Sequence, residues 1–275
     1  MTTTNYLVIS KIQLKEVCIH CCTSPDDGER VNAQIVETAN KLVIVDAMLM
    51  RPHAKEFREY IDSLGKPIDR IFITHAHPDH WFGIEFFADV NSFALPETIQ
   101  EIQMMGQLEI DFHRSQHGDL TNDQIRLPKE PVNPGQVVID GVTFGLHKVE
   151  AAEDLFMLAI DLPGEGTLLA QDLVYNKVHM FVGQRSMDGT TCFEGWIQAL
   201  ERFKNSGYSV VVPGHGVPTD GSVFEENIAQ LKTMREIYST SDGSNFVQRS
   251  VAAFPDHGLV SMLEMSNYFL FLAKF

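Results

Sequence analysis

Three imidazoles and a carboxylate fall within six residues, His75-Ala76-His77-Pro78-Asp79-His80, directly behind the apolar run Arg70-Ile71-Phe72-Ile73-Thr74. No other stretch limits the chain so tightly, because the run reads as a buried strand and its end must present metal donors. Side chains alternate along an extended segment, so His75 and His77 point to the same side and can reach one ion. If Pro78 opens a turn, Asp79 and His80 swing toward a second ion beside the first. Imidazole nitrogen with carboxylate oxygen suits zinc, with iron and manganese as the other candidates. The plain alternative is a histidine-rich surface loop. But the chain has only 11 histidines in 275 residues, and three of them at ligand spacing behind a strand argue for a site.

The same theme recurs. Lys41-Leu42-Val43-Ile44-Val45 stops at Asp46, Thr167-Leu168-Leu169-Ala170-Gln171 stops at Asp172, and Tyr208-Ser209-Val210-Val211-Val212 leads into Pro213-Gly214-His215-Gly216. Continuous apolar runs of this length fit strands buried on both faces. A carboxylate at the end of such a strand needs a partner, since an unpaired buried charge is costly. Several strands can thus deliver acids and imidazoles to one edge of a sheet, which is how open α/β architectures build sites. Residues 52–64 carry a helical stripe of Phe57, Tyr60, Ile61 and Leu64 closed by Gly65, and further helices are expected from Trp81, over 191–203 and over 222–238. Helices over strands give a layered α/β/β/α sandwich.

Between these landmarks, residues 6–22 and 30–37 read as strands around an Asp26-Asp27-Gly28 turn, as do residues 136–140, 142–149 and 155–162. Residues 96–108 read as helix. Residues 111–125 are polar and read as surface, His113 and His117 included. The segment 96–130 is expected to shape the substrate site as an insertion, and 247–275 to pack as a C-terminal helical tail on a single domain spanning 1–275.

With 44% hydrophobic residues the chain can bury a large core without disulfides. Apolar runs are only strand-sized, so no membrane span is expected, and the amino terminus lacks a basic region followed by a long apolar stretch. A cytoplasmic protein is the expectation. The net charge of −16, with no run of Lys and Arg, argues against nucleic acid as a partner. Cys18, Cys21 and Cys22 surround His20. A Cys-x-x-Cys pair alone is weak evidence for a second metal or redox site, and partly buried thiols on an early strand are the favoured reading.

The pattern His-x-His-x-Asp-His, followed in order by the strand-end Asp172 and Pro-Gly-His215-Gly, resembles the signature of the metallo-β-lactamase-fold superfamily over residues 32–231. The resemblance implies that His75 and His77 hold a first ion, that Asp79, His80 and His215 hold a second, that Asp172 bridges both, and that Asp46 supports a ligand histidine from behind. Family members usually add a histidine to the first ion from a His-Thr-Pro-Gly-like turn. Here that place reads Lys148-Val149-Glu150-Ala151-Ala152-Glu153-Asp154-Leu155, with Glu150 where the histidine would stand and His147 as the competing candidate.

The implied activity is a dinuclear zinc hydrolase of an ester, lactone, thioester or amide in a small molecule. A metal-bridging hydroxide would be the nucleophile and Asp79 its orienting or proton-accepting group. Tyr175, three residues past Asp172, resembles the tyrosine that lactone-hydrolysing members use on the substrate carbonyl, with packing as the other reading; Trp81 and His179 would line the pocket. Two alternatives stand beside it: a mononuclear-iron oxygenase resembling the persulfide dioxygenases, and a metal-binding scaffold without catalysis. Antibiotic resistance is a poor expectation for a chain with no visible export signal.

Overall fold

In the computed structural model, described over residues 6–186 and 188–273, the chain starts as an antiparallel meander of β1 (Val8–Gln13), β2 (Cys18–Thr23), β3 (Asn32–Glu37) and β4 (Leu42–Val45). Most of the residues searched for an export signal, and the last two of the tail, lie outside the described residues. The chain divides into two compact units, Met1–Lys148 with Leu158–Glu165 and Val149–Met157 with Gly166–Phe275. Among the described residues the strands fall into two sheets, of seven and five strands.

In the first unit, pairing turns parallel once helices take over the connections. α1 (Arg51–Ser63) carries the chain to β5 (Ile68–Phe72), which lies parallel to β4. A parallel neighbour needs such a crossover, whereas a hairpin does not. α1 forms because Ala54, Phe57 and Ile61 recur on one buried face, Pro52 sits in its first turn, and Gly65 just beyond it takes φ +69. After α2 (Pro78–Trp81) and a 3-10 stretch, Phe82–Phe87, come β6 (Ser92–Ala94), the long α3 (Pro96–His117) and β7 (Glu130–Pro131). β8 (Gly135–Ile139) and β9 (Val142–Glu150) form a hairpin whose corner, Asp140-Gly141, has φ +49 and +83, the signature of a two-residue primed turn. β10 (Phe156–Leu162) follows. The core of this unit gathers Ile35, Ile44, Phe57, Ile61, Ile71, Trp81, Phe82 and Ile102, all buried. Each such side chain contributes about 1.5–3 kcal/mol by leaving water.

The second unit is built on β11 (Thr167–Asn176), buried along its whole length, and β12 (Val210–Gly216), parallel to it. α4 (Phe193–Lys204) and α5 (Val223–Ser239) lie on this pair, α4 pinned by the indole of Trp196 donating to the Leu173 carbonyl at 2.9 Å. α6 (Phe246–Ala253) and α7 (Ser261–Asn267) complete it.

Three expectations are corrected. α3 continues past 108 to His117, because Ile102, Gly106, Ile110 and His113 prolong its buried stripe at helical spacing; the polar residues are its outer face, and His113 is buried. The segment after Trp81 tightens into the 3-10 stretch rather than a regular helix: Gly83 lies against the Ala47 carbonyl, where a β-carbon would collide. The tail is not one helix but two short ones and a π turn, Tyr268–Leu272, and Pro255 just past α6 prevents that helix from running on. Among the described residues no helix is long and apolar enough to cross a membrane.

Candidate metal centre

The first unit prepares four donors behind β4 and β5. The chain leaves β4 at Asp46 with φ +65, a left-handed turn that aspartate tolerates better than most residues. The turn puts the carboxylate beside the end of β5. Asp46 Oδ1 accepts the Thr74 backbone N–H at 2.8 Å, and Oδ2 accepts the Thr74 hydroxyl at 2.8 Å and meets His80 Nδ1 at 2.7 Å. Every member of this network is fully buried.

The network sets the two imidazoles. A carboxylate at His80 Nδ1 selects the tautomer protonated there, so the Nε2 lone pair faces Asp79 Oδ2, 3.2 Å away. Thr74 has one hydroxyl hydrogen and gives it to Asp46. Its oxygen therefore accepts from His75 Nδ1 at 3.0 Å, which leaves the lone pair of His75 on Nε2 as well. The rings of His75 and His77 stand edge-on with centroids 4.9 Å apart, and those of His75 and His80 lie 4.0 Å apart. Pro78 opens the turn of α2, which carries Asp79 and His80 together. The Trp81 indole closes the loop by donating to the Ala76 carbonyl at 2.9 Å; it is packing here, fully buried.

The second unit prepares its own donors. Asp172 is 2% exposed, and its Oδ2 accepts the Tyr175 hydroxyl at 2.9 Å and lies 3.1 Å from His215 Nε2. The Tyr175 and His215 rings are stacked, 5.0 Å between centroids, because the two residues are register partners across β11 and β12. Asn227 of α5 clamps Tyr175 from behind, accepting its backbone N–H at 2.8 Å and donating to its carbonyl at 2.7 Å. Gly214 makes room: a β-carbon there would run into the Asp172 carboxylate. The Tyr175 hydroxyl also reaches Glu153 Oε1 at 3.4 Å.

Glu150 ends β9 with an exposed side chain, so it is not the buried acid of this turn. Ala151 follows with φ +50, and past that reversal Glu153 and Asp154 are enclosed, 1% and 0% exposed. Their negative charge is felt at Cys192, whose thiol is pushed up to about 11 by burial first and by these two carboxylates next. His147 pairs with Asp161 at 3.0 Å. Sequence reasoning misses Glu153, whose only signal is a further acid three residues along the same turn. His113, read from the sequence as surface, is buried. That ring packs on Phe82 at 5.4 Å, and burial, partly offset by Asp79, holds it down to about 4.

Nitrogen and oxygen donors, buried, with imidazole tautomers fixed from behind, fit a divalent metal ion. The Metallo-beta-lactamase superfamily model matches residues 26–215. A curated relative, an uncharacterized protein, YobT, of Bacillus subtilis (strain 168), is 28% identical over 155 residues, which cover 52% of this chain and 61% of that protein. The chain thus spans about three-fifths of the relative's length. Among solved structures, a metallo-beta-lactamase from Pontibacter korlensis aligns with a TM-score of 0.63 at 19% identity over 82% of this chain and 99% of its own. FIM-1 from Pseudomonas aeruginosa, in a mono-zinc form, aligns with 0.60 at 16% identity over 82% and 95%. At these identities the likeness is one of fold: two sheets with helices, in the metallo-beta-lactamase arrangement.

Proposed function

Since the chain belongs to the metallo-β-lactamase superfamily, we propose that it is a metal-dependent hydrolase of an ester, lactone, thioester or amide bond in a small molecule. In this reading His75, His77, Glu153 and Asp172 would serve one ion and Asp79, His80, Asp172 and His215 the other, with zinc as the metal proposed for both. Glu153 takes the place first expected of Glu150, because it is the buried acid of the turn that replaces the family's histidine. The observation that carries the reading is the Asp46–Thr74 network, which turns Nε2 of both His75 and His80 into lone-pair donors.

Divalent ions held by these residues would supply an acidified water and polarise a scissile carbonyl. The chain's own residues do the rest. Asp79 orients that water and takes its proton, Asp46 keeps the His80 ring from turning, and Tyr175 holds Asp172 by its hydroxyl, a positioning role that does not require contact with substrate. The segment 96–130 shapes the substrate site, α3 being its main element. The test is metal content by mass spectrometry on protein purified without added metal, followed by an ester and lactone panel. Two zinc ions per chain that depend on His75 and Asp172, with turnover lost in His75→Ala and in Asp172→Ala, are expected. Turnover that survives either substitution overturns the reading.

One observation favours a second reading. If Glu153 takes the place of the family's histidine, the residues proposed for the first ion are two imidazoles and one carboxylate, the donor set of non-haem iron oxygenases. One iron per chain, together with oxygen consumption on a persulfide, would select that reading over the hydrolase.

A further inference from the structure

Away from the donors already described, one other group of side chains in the first unit has the composition of a metal site. Cys18 and Glu37 are register partners across β2 and β3, and His20 lies two residues along β2, so all three side chains share one face of the sheet. Cys18, His20 and Glu37 each bring a ligand atom to within 4.8 Å of the other two. His20 is fully buried, and Cys18 and Glu37 are half-buried. Glu37 pairs with Leu42 at the start of β4, whereas Asp46 follows the end of β4, so the cluster sits at the opposite edge of the sheet from Asp46 and His75. The length of β4 separates the two edges, about 13 Å at the usual rise per residue.

The surroundings are built for coordination. His20 Nε2 lies 2.9 Å from Glu37 Oε2, and its other nitrogen, Nδ1, is held by the Tyr60 hydroxyl of α1 at 2.7 Å. A metal-bound histidine needs such a partner on its second nitrogen to fix the ring. Lys66 takes the other oxygen of Glu37, Oε1, at 2.8 Å and leaves Oε2 facing the cluster. Lys11, opposite His20 on β1, and Lys66 both favour the thiolate of Cys18, although burial and Glu37 outweigh them and keep the thiol protonated without a metal. The two ammonium groups also oppose a cation. The thiolate and Glu37 carry two negative charges against it.

We propose that Cys18, His20 and Glu37 form a second metal site, taking one zinc-like divalent ion through sulfur, nitrogen and oxygen, with a water as fourth ligand. Binding releases the Cys18 proton to solvent. The His20 proton shifts from Nε2 to Nδ1, where it donates to Tyr60, so the ring stays neutral and one proton leaves per ion bound. Such an ion ties β2, β3 and α1 together; it is a structural clamp, independent of the reaction proposed above.

Cobalt(II) tests this separately from the other site, because no donor of that site is a sulfur. Titrating metal-free protein with cobalt(II) alone should raise a sulfur-to-cobalt charge-transfer absorption whose full intensity corresponds to one sulfur-bound ion per chain. The band should vanish in Cys18→Ser, weaken at least tenfold in apparent affinity in Glu37→Gln, and persist in the His75→Ala/Asp172→Ala variant. Far-ultraviolet circular dichroism checks that each variant is folded. No band in the wild type at tenfold excess of cobalt overturns the proposal, as does a band of full strength in Cys18→Ser or one that disappears with His75 and Asp172.

Discussion

Asp46 reaches His80 Nδ1 at 2.7 Å from a backbone turned left-handed at φ +65, so one unusual residue joins the end of β4 to a donor carried by α2. Asp46→Asn keeps the size and tolerates the turn, yet an amide cannot serve both Thr74 groups and the His80 N–H as a carboxylate does. Metal affinity should fall about 10–100-fold, read by competition with a chelator, while the fold is retained. Unchanged affinity would show that His80 holds its orientation without Asp46.

Gly214 lies where a β-carbon would strike the Asp172 carboxylate and backbone. Gly214→Ala should displace Asp172, abolish turnover and cost about 1–3 kcal/mol of stability. Gly164 has open space and is the control: Gly164→Ala should change neither. Activity assays and denaturant titration of both variants decide the matter, and equal behaviour of the pair would refute the steric account.

Asn227 satisfies both backbone groups of the buried Tyr175. Asn227→Ala orphans an N–H and a carbonyl at once, and each unsatisfied group costs about 1–3 kcal/mol. Thermal unfolding should therefore shift down by several degrees, with a larger loss of activity than Tyr175→Phe causes, since that variant gives up hydroxyl bonds such as those to Asp172 and Glu153 and keeps the backbone clamp. A drop in melting temperature no larger than a surface substitution gives would count against the clamp.

His179 is fully buried, and burial first, then neighbouring His257, hold it down to about 4. In the unfolded chain an ordinary histidine titrates near about 6.5. Between these values the unfolded state binds the extra proton, so stability is fully present above about 6.5 and is lost as pH falls toward about 4, by about 1.4 kcal/mol per pH unit. Melting curves from neutral pH down to mildly acidic pH should show this slope, and His179→Leu should flatten it. A variant slope equal to that of the wild type would assign the acid sensitivity elsewhere.

The strand-end donors are legible because two periodicities speak at once there: an apolar run marks the buried strand, and the His75 and His77 spacing marks its presenting face. Asp46 and Asp172 are legible for the same reason, as charges ending runs that bury everything else. Glu153 is not. Which of Glu150, Glu153 and Asp154 turns inward depends on the positive φ of Ala151, a backbone reversal that no spacing announces. The helical pattern of α3 fades at 108 because its outer face is polar and its buried stripe is thin, with a glycine at one of its positions. Resemblance offers Tyr175 as a substrate contact; its burial against Asp172 belongs to tertiary packing.

Thr74 gives its single hydroxyl hydrogen to Asp46 and accepts the Nδ1–H of His75, so one rotor sets the His75 ring directly and braces the carboxylate that holds His80. Ordinary similarity between amino acids is inverted at this position. Valine copies the outline of threonine and would let the His75 imidazole present either nitrogen, whereas serine, smaller and less restrained, would preserve the wiring. Variation tolerated at position 74 should follow hydroxyl content and ignore shape.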